Sequence, residues 1–197
     1  MTAGPGRRES HAERRERRAA VDDPQVVLEA AARFLEARSR SVAEVRRRLR
    51  SVGYRTDLVD GAIERMIELG MLDDEAFARA WVESRDRARP RGERAIRSEL
   101  ALKGVERSVV DAILADRRQV VGEAAETGPG ARSANQAAAE RLIARHARAL
   151  ARVEDPRQRR QRAYALLARN GFDPETCRDV ANRVDGSTAA EVPDLTD

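Results

Sequence analysis

The sequence predicts an all-α protein, an elongated array of three tandem three-helix repeats with disordered N- and C-terminal tails. Apolar residues recur at the three- and four-residue spacing of amphipathic helices, and no segment alternates apolar and polar residues as a strand does. A pattern of helix, glycine and helix in the centre of the chain recurs on both sides. A unit of about 45 residues has too little core to be stable alone, so each repeat is expected to pack against its neighbours.

The three copies can be aligned on the glycine that separates their last two helices. Gly53, Gly104 and Gly171 hold this place, at offsets of 51 and 67 residues. The matched apolar positions are Val45, Leu49, Leu58, Val59, Ala62 and Ile63 in the first copy, Ile96, Leu100, Val109, Val110, Ile113 and Leu114 in the second, and Ala163, Leu167, Thr176, Cys177, Val180 and Ala181 in the third. The third copy is weaker, because its smaller residues bury less apolar area. Registered copies of this length indicate a repeat array.

The two ends of the chain lack the apolar periodicity of the middle. Residues 1–23 carry six arginines and five acids with few large apolar residues, and residues 185–197 carry four acids and no base. Such segments cannot bury enough apolar surface to order themselves. We therefore expect a mixed-charge disordered tail at 1–23 and an acidic tail at 185–197.

The first repeat is predicted at residues 24–70. Its first helix follows Pro24, and its second begins at Ser41 and Glu44, which have the spacing of a capping box. The third helix begins near Thr56 and ends at Gly70, because glycine readily takes the positive φ of a helix terminus.

The second repeat is predicted at residues 71–120. Asp73 and Asp74 supply acceptors for the free N–H groups of a new helix, whose positive end also favours acids. Paired aspartates could also act as a general acid and base or bind a metal. We favour capping, because it requires no residue beyond those already in this segment. Pro90 and Gly92 then break the chain before the second helix of this repeat.

A linker and a third repeat complete the prediction. Residues 121–136 contain glycines, a proline and no apolar periodicity, so they are assigned to a linker. The third repeat is predicted at 137–184, with a break at Asp155 and Pro156 and a helix start at Asp173 and Pro174.

Charge points to an acidic partner. The net charge is +4, and all basic residues except Lys103 are arginine, whose guanidinium binds phosphate or carboxylate through two parallel hydrogen bonds. The arginines cluster once in each repeat, so they could line one binding surface for an acidic protein or for nucleic acid. The predicted contact residues are Arg46, Arg47, Arg50, Arg85, Arg87, Arg91, Arg94, Arg157 and Arg160.

The sequence argues against an enzyme. His11 and His146 have no nucleophile or carboxylate at a recognisable spacing, and no phosphate loop, metal-ligand pair or cofactor fingerprint appears. The single cysteine, Cys177, is expected in the core. No apolar run approaches the ~20 residues of a membrane span, and the N-terminus lacks a signal-peptide segment. We therefore expect a cytoplasmic binding protein, acting as a monomer without cofactor, metal or membrane contact.

Three stretches resemble the RecX family of recombinase regulators. They are RSVAEVRRRLRSVGY (40–54), LGMLDDEAFARAWVESR (69–85) and GERAIRSELALKGV (92–105). The third repeat matches in pattern only, its preceding linker is enlarged, and Pro90 interrupts the basic segment before Gly92. The resemblance covers the first two repeats with few gaps.

The resemblance implies three tandem three-helix repeats that bind the RecA filament on single-stranded DNA. RecX-like proteins block extension of this filament or promote its disassembly. They thereby lower its ATP hydrolysis, its strand exchange in homologous recombination and DNA repair, and the coprotease activity that triggers the SOS response. The alternative is a helix-turn-helix-like DNA-binding protein, because helix pairs joined by a short glycine turn resemble that motif. However, no second helix of a pair concentrates Arg, Asn and Gln as a base-reading surface would.

Overall fold

A computed structural model describes residues 9–124 and 133–184. Within these two ranges the chain forms ten helices and no strand, which confirms the predicted all-α class. The described helices include none with the length and apolar character that a membrane crossing requires. Contacts among the described residues form two compact units: residues 9–77 together with 103–105, and residues 78–102 together with 106–124 and 133–184.

The helices follow the order predicted for three repeats, with one helix before them. They are α1 (His11–Ala19), α2 (Pro24–Glu36), α3 (Val42–Val52), α4 (Thr56–Glu68), α5 (Asp74–Ala88), α6 (Glu93–Leu102), α7 (Arg107–Ala124), α8 (Ala134–Ala151), α9 (Pro156–Arg169) and α10 (Pro174–Arg183).

Local capping fixes most of the helix starts. The Ser41 hydroxyl accepts from the Glu44 N–H at 3.1 Å, and the Glu44 carboxylate accepts from the Ser41 N–H, so the predicted capping box is confirmed. Asp73 accepts from the N–H groups of Glu75 and Ala76, which confirms its capping role. Asp173 caps α10 ahead of the proline at its first position, also as predicted.

Glycines in the left-handed region end the helices at the aligned positions. Gly53, Gly104 and Gly171 have φ of 111°, 77° and 83°, and Gly70 has 67°. Every other residue type in the described ranges has negative φ. An L side chain in this region is strained. The predicted terminating role of these glycines is therefore confirmed.

The first unit has an aliphatic core formed by α2, α3 and α4. Its buried members are Val27, Ala31, Val45, Leu49, Val59, Ala62, Ile63, Met66 and Leu72. Residues Lys103–Val105 belong to the same unit: the Ser41 hydroxyl donates to the Lys103 carbonyl at 2.6 Å, and the Lys103 ammonium binds Glu44 at 2.8 Å. The N-terminus of α3 is thereby bonded to this turn.

The segment 1–23 differs in part from the expected disordered tail. Residues 1–8 lie outside the described residues, but α1 forms between His11 and Ala19. A capping box between Ser10 and Glu13 starts this helix, and Arg18 donates to the Val52 carbonyl at 3.4 Å. No residue of α1 is buried. Composition therefore misses α1, because capping and polar contacts rather than apolar burial hold it.

The second unit has a core in which α8, α9 and α10 pack together. Phe172, Leu167, Leu142 and Cys177 are buried there, and the burial of Cys177 confirms its predicted place in the core. Both ends of the expected linker 121–136 are helical instead, because α7 continues to Ala124 and a capping box between Ser133 and Gln136 starts α8 at Ala134. Residues 125–132 and the predicted acidic tail lie outside the described residues.

The break before α6 is a close backbone contact within the second unit. The Gly92 N–H donates to the Asn170 carbonyl at 3.0 Å, and the Arg94 N–H donates to the Gly171 carbonyl at 3.2 Å. A Cβ on Gly92 would lie 2.2 Å from the Gly171 carbonyl oxygen. Glycine at position 92 thus lets the start of α6 approach the turn between α9 and α10. We call this backbone contact the Gly92 joint.

Candidate partner-binding surface

The first arginine cluster lies on α3 and is only partly available to a partner. Arg46 and Arg50 both bind the Asp60 carboxylate of α4, each at 3.1 Å. Arg47 is exposed, and no described residue accepts a hydrogen bond or ion pair from its side chain. Of the three predicted contacts on α3, Arg47 therefore has the guanidinium most available for an outside ligand.

The contact between Arg46 and Asp60 has a counterpart at the aligned positions of the next repeat. Arg97 and Asp111 stand 51 residues later and bind at 2.9 Å. The hydrogen bond from Arg97 lowers the pKa of Asp111 below its ordinary value. Because both pairs join the second helix of a repeat to its third, Arg46 has a structural role besides any role in binding.

The second cluster is organised around Glu99. The Glu99 carboxylate accepts from Arg85 at 2.6 Å and from the Trp81 indole N–H at 2.8 Å, and Arg91 lies 3.6 Å away. The Arg85 guanidinium also lies over the Trp81 ring, 4.5 Å from its centroid. Arg91 donates to the Asn170 side chain at 2.7 Å. Arg85 and Arg91 therefore brace α5, α6 and the Gly92 joint.

The other two members of the second cluster face solvent. The Arg87 side chain is 82% exposed, and its one carboxylate contact, with Glu83, is 4.0 Å long. Arg94 is exposed, and among the described residues its guanidinium has no partner. An exposed pair of this kind contributes little to stability. Arg87 and Arg94 are thus available to a partner with little cost to the fold.

The third cluster lies at the start of α9. Arg157 is exposed, and only its backbone N–H is engaged, by the capping Asp155. Arg160 is half-buried, and its side chain already takes part in an interaction. The first turn of α9 holds no acid. Basic residues there add to the positive end of the helix dipole, which strengthens attraction for an anion.

The second and third clusters are brought into one unit but not into one patch. Arg91 contacts Asn170 at the C-terminal end of α9, whereas Arg157 lies thirteen residues earlier on the same helix. At 1.5 Å per residue this places them about 20 Å apart along the axis. A ligand that touches both must therefore be extended.

Charged residues that no motif of the sequence marks hold the second unit together. Arg117, whose side chain is 6% exposed, binds both oxygens of Asp86 at 2.7 and 3.0 Å. Arg145 donates to the carbonyl of Ala88, the last residue of α5. The sequence shows Arg117 only as one more arginine of an apolar helix, so no local signal marks it as buried.

Comparison with known families matches all three repeats. The models described as the first, second and third three-helix domains of RecX match residues 28–66, 73–114 and 134–180. The third match begins in the segment assigned to the linker, in agreement with the start of α8.

Relatives and solved structures agree with these matches. The chain is 33% identical over 151 residues to regulatory protein RecX of Mycobacterium sp. (strain JLS), which covers 75% of each chain. It is 33% identical over 150 residues to the same protein of Mycolicibacterium smegmatis, covering 76% of this chain and 74% of the relative.

Solved crystal structures share the fold. A crystal structure of regulatory protein RecX gives a TM-score of 0.65 at 18% identity, covering 81% of this chain and 71% of that one. The crystal structure of RecX from Lactobacillus salivarius gives 0.63 at 21%, covering 83% and 97%. The chain belongs to the RecX family.

Proposed function

We propose that this protein binds the RecA recombinase filament on single-stranded DNA and inhibits its extension, ATP hydrolysis, strand exchange and SOS coprotease activity. The observation that carries the proposal is the ordered match of three RecX domains, supported by relatives named regulatory protein RecX over three quarters of the chain. In this role the protein acts in the cytoplasm, as a monomer and by binding rather than by catalysis.

The available arginines give this role a physical basis. Arg47, Arg94 and Arg157 have exposed guanidiniums with no carboxylate partner among the described residues. Guanidinium binds carboxylates of a protein or phosphates of DNA in the same bidentate geometry. A polymer presents the same acidic group on each subunit, and each further contact forms intramolecularly once the first is made. Several modest contacts can then give tight binding.

The test is recombinase ATP hydrolysis on single-stranded DNA, titrated with this protein. We expect the unaltered chain to lower the rate, and the triple variant Arg47→Ala, Arg94→Ala, Arg157→Ala to need at least about tenfold more protein for the same effect, since tenfold corresponds to about 1.4 kcal/mol. Arg107→Ala is the matched control, because Arg107 is 90% exposed and was not predicted to bind. A triple variant as potent as the control would refute the arginine assignment.

The helix-turn-helix alternative gives a different result in the same assay. Naked duplex DNA would then capture the protein and relieve the inhibition at low duplex concentration. Under the proposed function, excess duplex competes weakly, and its effect falls steeply with salt because it depends on phosphate charge alone.

A further inference from the structure

A small cavity in the first unit combines arginine with aromatic side chains. It measures about 250 Å³ and is lined by residues of α1, α2 and α3 and by Tyr54, which follows α3. Phe34 and Tyr54 supply its rings, and Arg18, Arg33 and Arg48 its charges. The whole chain has only six aromatic residues, so two in one cavity is a high local density. We call this cavity the Phe34–Tyr54 pocket.

The residues that line the pocket include three arginines and no acid. It contains no Asp or Glu, whereas three other cavities of the described surface each include at least one carboxylate, such as Glu140, Asp86 or Asp173. Arg48 is exposed and has no carboxylate partner in the described ranges. Arg33 pairs with Glu29 at 3.5 Å, but both side chains are more than half exposed, so this pair is weak. The pocket therefore favours an anionic ligand.

The guanidiniums of the pocket lie close to its aromatic rings. Arg18 lies 5.9 Å from the centroid of the Tyr54 ring, and Arg48 lies 5.8 Å from that of Phe34. Arg40, which does not line the cavity, lies 4.3 Å from the Phe34 centroid. Rings and guanidinium planes are the surfaces on which nucleobases stack.

The size and chemistry select one class of ligand. The pocket is smaller than the ~300–1,000 Å³ of ordinary small-molecule sites, so it takes one planar ring rather than a whole cofactor. An exposed Arg48 and Arg33 at its edge suit phosphates on either side of that ring. With no carboxylate to read a base edge, recognition depends on stacking and charge and tolerates any base. Duplex DNA keeps its bases stacked inside and cannot offer one.

We propose that the Phe34–Tyr54 pocket binds single-stranded nucleic acid, holding one base against its rings while Arg48 and Arg33 bind the neighbouring phosphates. This inference goes beyond the proposed function, because it assigns the protein a direct contact with the strand that needs no recombinase. Binding of free single strands by the protein alone follows from it.

The experiment measures fluorescence anisotropy of a labelled oligothymidylate titrated with the full chain, in the absence of recombinase. We expect Arg48→Ala to weaken binding about tenfold and Tyr54→Ala to weaken it by a similar factor, since stacking of one base is worth ~1–3 kcal/mol. Tyr54→Phe keeps the ring and should bind within twofold of the unaltered chain. Arg65→Ala is the charge-matched control in the same unit, because Arg65 pairs with Glu68 away from the pocket.

Two comparisons separate the pocket from general attraction to charge. An abasic oligomer of the same length has the phosphates without the bases, and we expect it to bind at least about tenfold more weakly. Polyglutamate should compete poorly. Equal binding of the abasic oligomer, equal competition by polyglutamate, or unchanged binding by Arg48→Ala would each overturn the proposal. Arg48 is exposed, so its variant tests the idea even if Tyr54→Ala fails to fold. Failure here leaves filament inhibition, which is measured separately, unaffected.

Discussion

Replacing Gly92 with alanine should loosen the second unit at the Gly92 joint. The added Cβ would lie 2.2 Å from the Gly171 carbonyl oxygen, 2.3 Å from its carbon and 2.3 Å from the Phe172 nitrogen. All three are backbone atoms, which cannot rotate away as the end of a side chain can. An ordinary contact needs at least 3.4 Å, so the start of α6 must move by roughly 1 Å or more.

The loss in the free energy of unfolding follows from the hydrogen bonds that this movement breaks. The hydrogen bonds from Gly92 to the Asn170 carbonyl and from Arg94 to the Gly171 carbonyl are 3.0 and 3.2 Å long, and a further 1 Å breaks both. Each contributes about 1 kcal/mol, and the contact of Arg91 with the Asn170 side chain adds a similar amount. Alanine also lowers the conformational entropy of the unfolded chain, which stabilises the folded protein by about 0.5 kcal/mol. We therefore expect a net loss of about 2–3 kcal/mol.

Urea unfolding followed by tryptophan fluorescence measures this loss directly. Trp81 is the single tryptophan of the chain and lies in the second unit. Gly61→Ala is the matched control, because a Cβ at Gly61 of α4 has no atom within 4 Å and should stabilise that helix by about 0.5–1 kcal/mol. A Gly92→Ala protein whose Trp81 transition coincides with that of the unaltered chain would show that the Gly92 joint does not stabilise the second unit.

Three further substitutions test how charge and capping stabilise the two units. Asp86→Asn should destabilise the second unit by about 3 kcal/mol in urea unfolding, because it leaves the buried Arg117 without its carboxylate; a loss below 1 kcal/mol would show that the pair is dispensable. Ser41→Ala should cost the first unit about 1–2 kcal/mol by circular dichroism, since it removes the helix cap and the bond to the Lys103 carbonyl. Burial raises the pKa of Glu44, but hydrogen bonds led by that from Lys103 outweigh it and hold the pKa below its ordinary 4.5. The ionised Glu44 carboxylate therefore stabilises the fold fully at pH values above the pKa of this residue in the unfolded chain. This stabilisation is lost as the pH falls through the lower pKa of Glu44 in the folded chain. Thermal melts should thus show Glu44→Gln less stable than the unaltered chain at pH 7, with a difference that narrows as the pH falls below the ordinary 4.5 of a glutamate. A difference independent of pH would contradict this.

Local signals made the fold predictable from the sequence. The capping box at Ser41, the caps at Asp73 and Asp173 and the glycine at 104 act within a few residues, so the sequence alone contains their geometry. The register of the repeats follows from the same signals, because a glycine with positive φ fixes where one helix ends and the next begins.

The roles of single arginines depend on residues far away in the chain and could not be predicted. Arg46 and Arg47 are neighbours of the same type, yet only Arg46 reaches Asp60, fourteen residues on. Which of two adjacent arginines faces the next helix depends on helix rotation and packing. The partner of Arg117 lies thirty-one residues away, and nothing near either residue indicates the pair.

The composition of the chain likewise did not predict α1 or the start of α8. Few apolar residues in the first segment, and glycines in the second, favoured disorder and a linker. The capping boxes at Ser10 and Ser133 start helices despite this composition, because each satisfies two free N–H groups at a helix start.

Growth of a fluorescent RecA filament on single-stranded DNA, followed with and without this protein, measures the proposed inhibition without an intermediate step. We expect extension to slow as the protein is added, and the Arg47, Arg94 and Arg157 triple alanine variant to slow it far less. Extension at an unchanged rate under saturating amounts of the folded chain would contradict it.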